Sequence, residues 1–184
     1  GSHTIRGLQD GGFEPVVLDN LVYGHRKIVE DVLGVPLVIG QVGDKQLLQK
    51  LLSGDHPSTK GKLIKGIMHF AAYAYVGESV IDPAKYYKNN LAETIILLEA
   101  LLEDSKKRNS KPIPIVFSST CATYGLPLET EIPILETTQQ NPINPYGRSK
   151  LMIEKILIDY HKAYKLPVSI LRYFNAAGAD IKGD

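Results

Sequence analysis

A single cysteine, Cys121, stands in 184 residues, which excludes an internal disulfide and suits a reducing cytoplasm. The five histidines show no metal-ligand spacing with it, so no metal site is expected. An excess of either charge is also missing: 21 Lys and Arg against 20 Asp and Glu leave a net +1. Nucleic acid is therefore not an expected partner. The longest basic cluster, "SKKRNSK" at 105–111, follows an apolar periodic run and reads as the solvated end of a helix. No stretch approaches about 18 consecutive apolar residues, and the first residues lack a charged-then-apolar leader pattern, so neither a membrane span nor export is expected. Internal repeats and low-complexity tracts are lacking too.

What the chain does have is alternation. Short β-rich runs, "PVVLD" (15–19), "PLVIG" (36–40), "GIMHF" (66–70), "IPIVFSS" (113–119) and "PVSILRYF" (167–174), are separated by stretches of helical period. The helical stretches are "KQLLQKLL" (45–52), "NLAETIILLEALLED" (90–104) and "YGRSKLMIEKILIDYHKAY" (146–164), with apolar residues on one face and charges opposite. This pattern predicts α/β architecture, a parallel sheet covered by helices on both faces, in a single domain over 1–184. The Pro-rich stretch 126–145 reads as a surface loop leading into the last helix. "GSHT" at the start admits an expression scar, but "SHTIRGLQDGGFEPVVLDN" reads as the first helix and second strand of a dinucleotide-binding unit, starting one residue after a loop glycine. On that reading the first strand is absent. The strands at 15–19 and 66–70 are then expected to flank an empty slot.

"NPYGRSK" (144–150) places Tyr146 and Lys150 one helical turn apart, with Pro145 suited to the first turn. A phenol titrates near 10, and lowering it by about three units needs roughly 4 kcal/mol. One cation about 5 Å away supplies about 3 kcal/mol at an effective dielectric near 20, so a second positive charge would help. The spacing alone is weak, because Tyr23 and Lys27 repeat it. Asp19 ends an apolar run about twenty residues after Gly1, the place of the acid that accepts from an adenosine ribose, which favours NAD over NADP; a plain turn residue in "DN" is the alternative. "FSSTCATYG" (117–125) follows a strand, so Ser119 and Thr120 emerge at the carboxyl end of the sheet, where such folds bind ligands and where local turn formers also occur. In "FAAYAYVGES" (70–79) the small Ala71 and Ala72 would let a cofactor approach, while His69 reads as a core residue.

Taken together and in order, "FAAYAYVGES", "YYKNN", "SSTCATYG", "NPYGRSK" and "LRYFNAAGA" closely resemble the extended short-chain dehydrogenase/reductase family, in its UDP-sugar 4-epimerase branch. The resemblance covers essentially the whole chain. It implies a Rossmann-type doubly wound domain lacking its first strand and its C-terminal substrate domain. It also implies Tyr146, Lys150 and Thr120 as catalytic residues. Cofactor contacts carry over to Gly1, Asp19, Asn20, Gln41, Val42, Phe70, Ala71, Ala72, Asn89, Ser118 and Phe174, besides Tyr146 and Lys150. Substrate contacts fall on Thr120, Tyr146 and Asn175. Two positions depart from the family pattern: Gln41 replaces a common Asp near the adenine, and Ala74 replaces a common Lys, which is similar to the branch that includes UDP-arabinose 4-epimerases. The implied activity is interconversion of UDP-glucose and UDP-galactose with retained NAD, through a 4-keto sugar, Lys150 lowering the tyrosine pKa. Alternatives are a UDP-arabinose/UDP-xylose 4-epimerase, a nucleotide-sugar 4,6-dehydratase, and a non-catalytic nucleotide-binding fragment. The dehydratase needs an acid and a base after the Thr, where this chain has Cys121 and Ala122. A homodimer through the helices near 84–104 and 146–164 is also implied.

Overall fold

A computed structural model describes residues 1–178 of the chain. The elements follow in the order α1 (Ser2–Asp10), β1 (Val17–Asp19), β2 (Leu37–Ile39), α2 (Lys45–Ser53), β3 (Ile67–His69), α3 (Val76–Ile81), α4 (Pro83–Tyr86), α5 (Glu93–Lys107), β4 (Ile115–Thr120), α6 (Pro145–Tyr164) and β5 (Val168–Tyr173). All strand pairs are parallel. The expected strands and long helices are present, with strand ends trimmed by one or two residues, except that β4 runs one residue further than expected, to Thr120. α3 and α4 are too short to announce a helical period.

Helix ends follow local chemistry. Asp44 caps α2 by accepting from Leu47 N (3.0 Å), and Gly54 closes it at φ +82°, where a side chain would be strained. Asn144 caps α6 by accepting from Gly147 N (2.8 Å), with Pro145 at the first position. The expected helix at 90–104 begins later, at Glu93, after a wide π turn over Tyr87–Ala92. Thr94 Oγ1, in the first turn of α5, donates to the Asn90 carbonyl of that turn (2.6 Å), while the Asn90 side-chain amide reaches across to Tyr73.

The core lies between β4 and the helices: Ile115, Phe117, Leu98, Leu101, Ile153 and Leu157 are fully or almost fully buried. The sheet itself is divided. β1 pairs with β2, and β3 pairs with β4, which pairs with β5, but β1 and β3 are not joined. Between them lies a cavity of about 1570 Å³, whose walls include Val17, Leu18, Ile67 and Met68. The strands around 15–19 and 66–70 thus flank the open slot expected from the sequence. Their free edges are not sealed from water, however, since β1 is only half-buried and Met68 is 37% exposed.

Candidate active site

The parallel arrangement sends the carboxyl ends of β1, β3 and β4 to one side, and the candidate residues follow them. Asp19 and Asn20 end β1, Phe70 to Ala72 follow β3, and Ser118 to Thr120 end β4. α6 then brings Tyr146 and Lys150 against the end of β4. Lys150 Nζ donates to Ser118 O (2.8 Å) and stands 4.8 Å above the Phe117 ring. The Thr120 hydroxyl accepts from Ala122 N (3.2 Å) and stands near enough to the Tyr146 phenol to act on its titration.

The electrostatics differ from the sequence expectation. Burial raises the Tyr146 phenol above its ordinary value, and the neighbouring Thr120 hydroxyl is what opposes it. Lys150 is 3% exposed, and burial pushes its own amine down to about 8. Its nitrogen serves the Ser118 carbonyl, and the lowering of the tyrosine expected from this lysine is not among the influences on the phenol. His69 is the core residue it was read as: it shares a hydrogen bond with Thr94 Oγ1 (2.8 Å), and burial, assisted by the Lys150 charge, pushes it down to about 3.

The cofactor candidates separate into two groups. Gly1, Asp19, Asn20, Gln41, Val42, Phe70, Ala71, Ala72 and Asn89 all line the large cavity. Ser118, Tyr146 and Lys150 lie outside its lining, on the catalytic side. Asp19 Oδ1 accepts from Leu21 N (2.7 Å), a turn contact that leaves Oδ2 for a ligand, and Asn20 Nδ2 donates to Gln41 Oε1 (3.1 Å). A Cβ on Gly24 would stand 2.8 Å from Asp19 Oδ1, so glycine lets the turn close against the acid. A strand-end carboxylate oxygen left open beside a side-chain amide fits the two hydroxyls of a ribose diol. Phe174 (58% exposed) and Asn175 lie past the end of β5. Among the described residues no His, Cys, Asp or Glu group is arranged to hold a metal.

Three residues the sequence did not single out also organise the site. Asn90, 1% exposed, accepts from Tyr73 N (2.8 Å) and donates to Tyr73 O (3.0 Å) and Ser149 Oγ (3.2 Å), tying the segment after β3 to α6. The doubled Asn in "YYKNN" was the one available signal. Glu154 and Arg172 pair across α6 and β5 (2.8 Å).

A dinucleotide-binding α/β domain with a Thr, Tyr and Lys cluster at its sheet's carboxyl edge is the class that this fold and site define. Matched over residues 1–184 by the model of the NAD dependent epimerase/dehydratase family, the chain belongs to that family. It is similar to UDP-glucose 4-epimerase of Rhizobium meliloti (strain 1021), 46% identical over the whole chain and 50% of the relative. A probable UDP-arabinose 4-epimerase of Arabidopsis thaliana is 37% identical, over the whole chain and 43% of that relative. Among solved structures, Brucella ovis UDP-glucose 4-epimerase in complex with NAD superposes with a TM-score of 0.85 at 46% identity, over all of this chain and 51% of that one. The chain spans about half the length of the curated relatives it matches.

Proposed function

We propose that this chain supplies the cofactor-binding and proton-transfer residues of an NAD-dependent UDP-sugar 4-epimerase that interconverts UDP-glucose and UDP-galactose. The observation that carries the reading is the convergence of Thr120, Tyr146 and Lys150 at the end of β4, with the Thr120 hydroxyl near the phenol and the Lys150 amine on the adjoining Ser118 carbonyl. NAD, when bound, supplies a reversible hydride acceptor for the sugar C4 and a positive charge beside the phenol. Tyr146, once ionised, takes the proton of the 4-hydroxyl, with Thr120 bridging the two oxygens. With the resulting 4-keto sugar turned over, the hydride would come back to the opposite face of C4, which inverts that carbon, while Tyr146 returns the proton to the 4-oxygen. Asp19 and Asn20 hold the adenosine ribose, Gln41 and Val42 flank the base, and Phe70 to Ala72, Asn89 and Ser118 line the path to Tyr146 and Lys150. Phe174 and Asn175 take up cofactor and substrate contacts.

Two broader features support the same reading. Among the described residues no helix is long and apolar enough to cross a membrane, in keeping with a cytoplasmic enzyme. Ile81, Met152, Ile158 and Tyr164 leave apolar surface exposed on α3 and α6, which suits a second copy of the chain in a homodimer. The UDP-arabinose alternative draws on Ala74 and on the Arabidopsis relative.

The test is turnover of UDP-galactose to UDP-glucose by the full-length protein loaded with NAD. Tyr146→Phe is expected to reduce turnover at least about 100-fold while NAD binding is kept, since it removes a proton-transfer group and little contact area. Turnover of UDP-arabinose alone selects the alternative. NAD-loaded protein that turns over neither sugar overturns the proposal.

A further inference from the structure

Glu154 is a carboxylate only 1% exposed, one helical turn beyond Lys150 on the same face of α6. Proton transfer as described makes no use of it. Every hydrogen bond it accepts comes from an element around the site. Oε1 accepts from Ser119 Oγ, the residue next to Thr120, and from Arg172 Nε (3.2 Å). Oε2 accepts from Gln140 Nε2 (3.0 Å), Arg172 Nε (3.2 Å) and Arg172 Nη2 (2.8 Å). Arg172 extends the network through Nη1 to Tyr124 Oη (2.7 Å) and to Glu136 O (2.9 Å), its guanidinium lying 5.1 Å from the Tyr124 ring.

The anchored pieces are the end of β4, β5 just before Phe174 and Asn175, the turn after Thr120, and the segment 133–141. The segment's other hydrogen bonds among the described residues are local, Thr138 N to Leu135 O (3.0 Å) and Leu135 N to Thr138 Oγ1 (3.0 Å), and at its end the Asn141 backbone packs against Gly125. Its two long-range hydrogen bonds run to Glu154 through Gln140 and to Arg172 through Glu136 O. A buried ion pair binds its neighbours in an all-or-none way, because loss of one member leaves the other's charge uncompensated.

We propose that Glu154 is a positioning residue: through Arg172 and Gln140 it holds the segment 133–141 and the Ser119–Thr120 strand end against α6, forming the wall on the sugar side of Tyr146. The inference rests on the epimerase reading for what the wall contacts, and not for the network itself. The test is Glu154→Gln in the full-length protein, with Gln140→Ala as a milder second variant. Amide exchange is expected to rise at 133–141 and near Thr120 in both variants while β1 and β2 stay unchanged. In kinetics, KM for the UDP-sugar is expected to rise about tenfold or more with a smaller change in kcat, the NAD Kd staying within about twofold, and Glu154→Asp restoring part of the loss. Exchange at 133–141 that stays at the parent level in both variants overturns the proposal, as does a loss spread evenly over the chain. If exchange rises locally but the unsubstituted protein turns over no UDP-sugar, the network stands and the epimerase reading fails.

Discussion

Lys150 keeps its ammonium where burial disfavours it, and that has a measurable consequence. The folded amine titrates at about 8 against an ordinary 10.5. Between those values the unfolded chain binds more protons than the folded one, so stability rises with pH through that window, and the full penalty of the buried charge is felt below about 8. Lys150→Met keeps the length and removes the charge. At pH 7 it is expected to raise the unfolding free energy by about 2 kcal/mol, roughly 3 from the relieved desolvation less about 1 for the lost Ser118 hydrogen bond. The gain should shrink as pH climbs toward 10, and urea titrations at pH 7 and 10 check it; a lower midpoint at pH 7 refutes it. The residue-scale site was half legible beforehand. Helical period alone places Tyr146 with Lys150, and a strand end presents Thr120. The groups that tune them were not legible, because the Ser118 carbonyl is 32 residues from Lys150 and Arg172 is 18 from Glu154. Nothing in local spacing records such partners.

At the scale of elements, the long periodic helices and the apolar strands declare themselves, whereas short pieces do not. α3 and α4 have six and four residues, too few for a 3.6-residue period to repeat, and the π turn over Tyr87–Ala92 is made by side chains that reach other elements. One such cross-link, His69 at the end of β3 with Thr94 of α5, predicts an acid response. His69 titrates at about 3 in the fold against an ordinary 6.5. Below 6.5 the unfolded chain takes up a proton that the folded chain refuses, so stability falls as pH drops toward 3, by about 1.4 kcal/mol per unit within the window. The range from pH 6.5 to 5 isolates the effect, since carboxylates contribute little there. His69→Leu is expected to flatten that limb in chemical denaturation at stepped pH. A parallel slope in the variant would show that the imidazole does not stay neutral on folding.

Across the whole molecule, the divided sheet governs stability. In a doubly wound sheet with strand order 3-2-1-4-5-6, strands such as β1 and β3 flank the central position and are covered on both faces. Here they border a cavity of about 1570 Å³. Their edge N–H and C=O groups lack a ladder partner on that side, and unpaired groups cost about 1 to 3 kcal/mol each where they are fully buried. β1 and Ile67 are only half-buried, so water reaches these edges and moderates that cost. What water cannot restore is apolar burial, worth roughly 25 cal/mol per Å². Leu18, Ile67 and Met68 would each gain from a covered slot. A domain is stable by only about 5 to 15 kcal/mol, so a deficit of a few such contacts is decisive. The 184-residue chain is therefore expected to melt below about 50 °C and to bind NAD more weakly than micromolar, although Tyr146, Lys150 and Thr120 are all in place. Amide exchange should be fastest among the strands in β1 and β3 and slowest in β4, whose two neighbours are both present. A cooperative calorimetric transition above about 50 °C together with micromolar NAD affinity would mean that the slot costs this fold nothing, and that the α6 and β4 core alone carries both stability and cofactor binding.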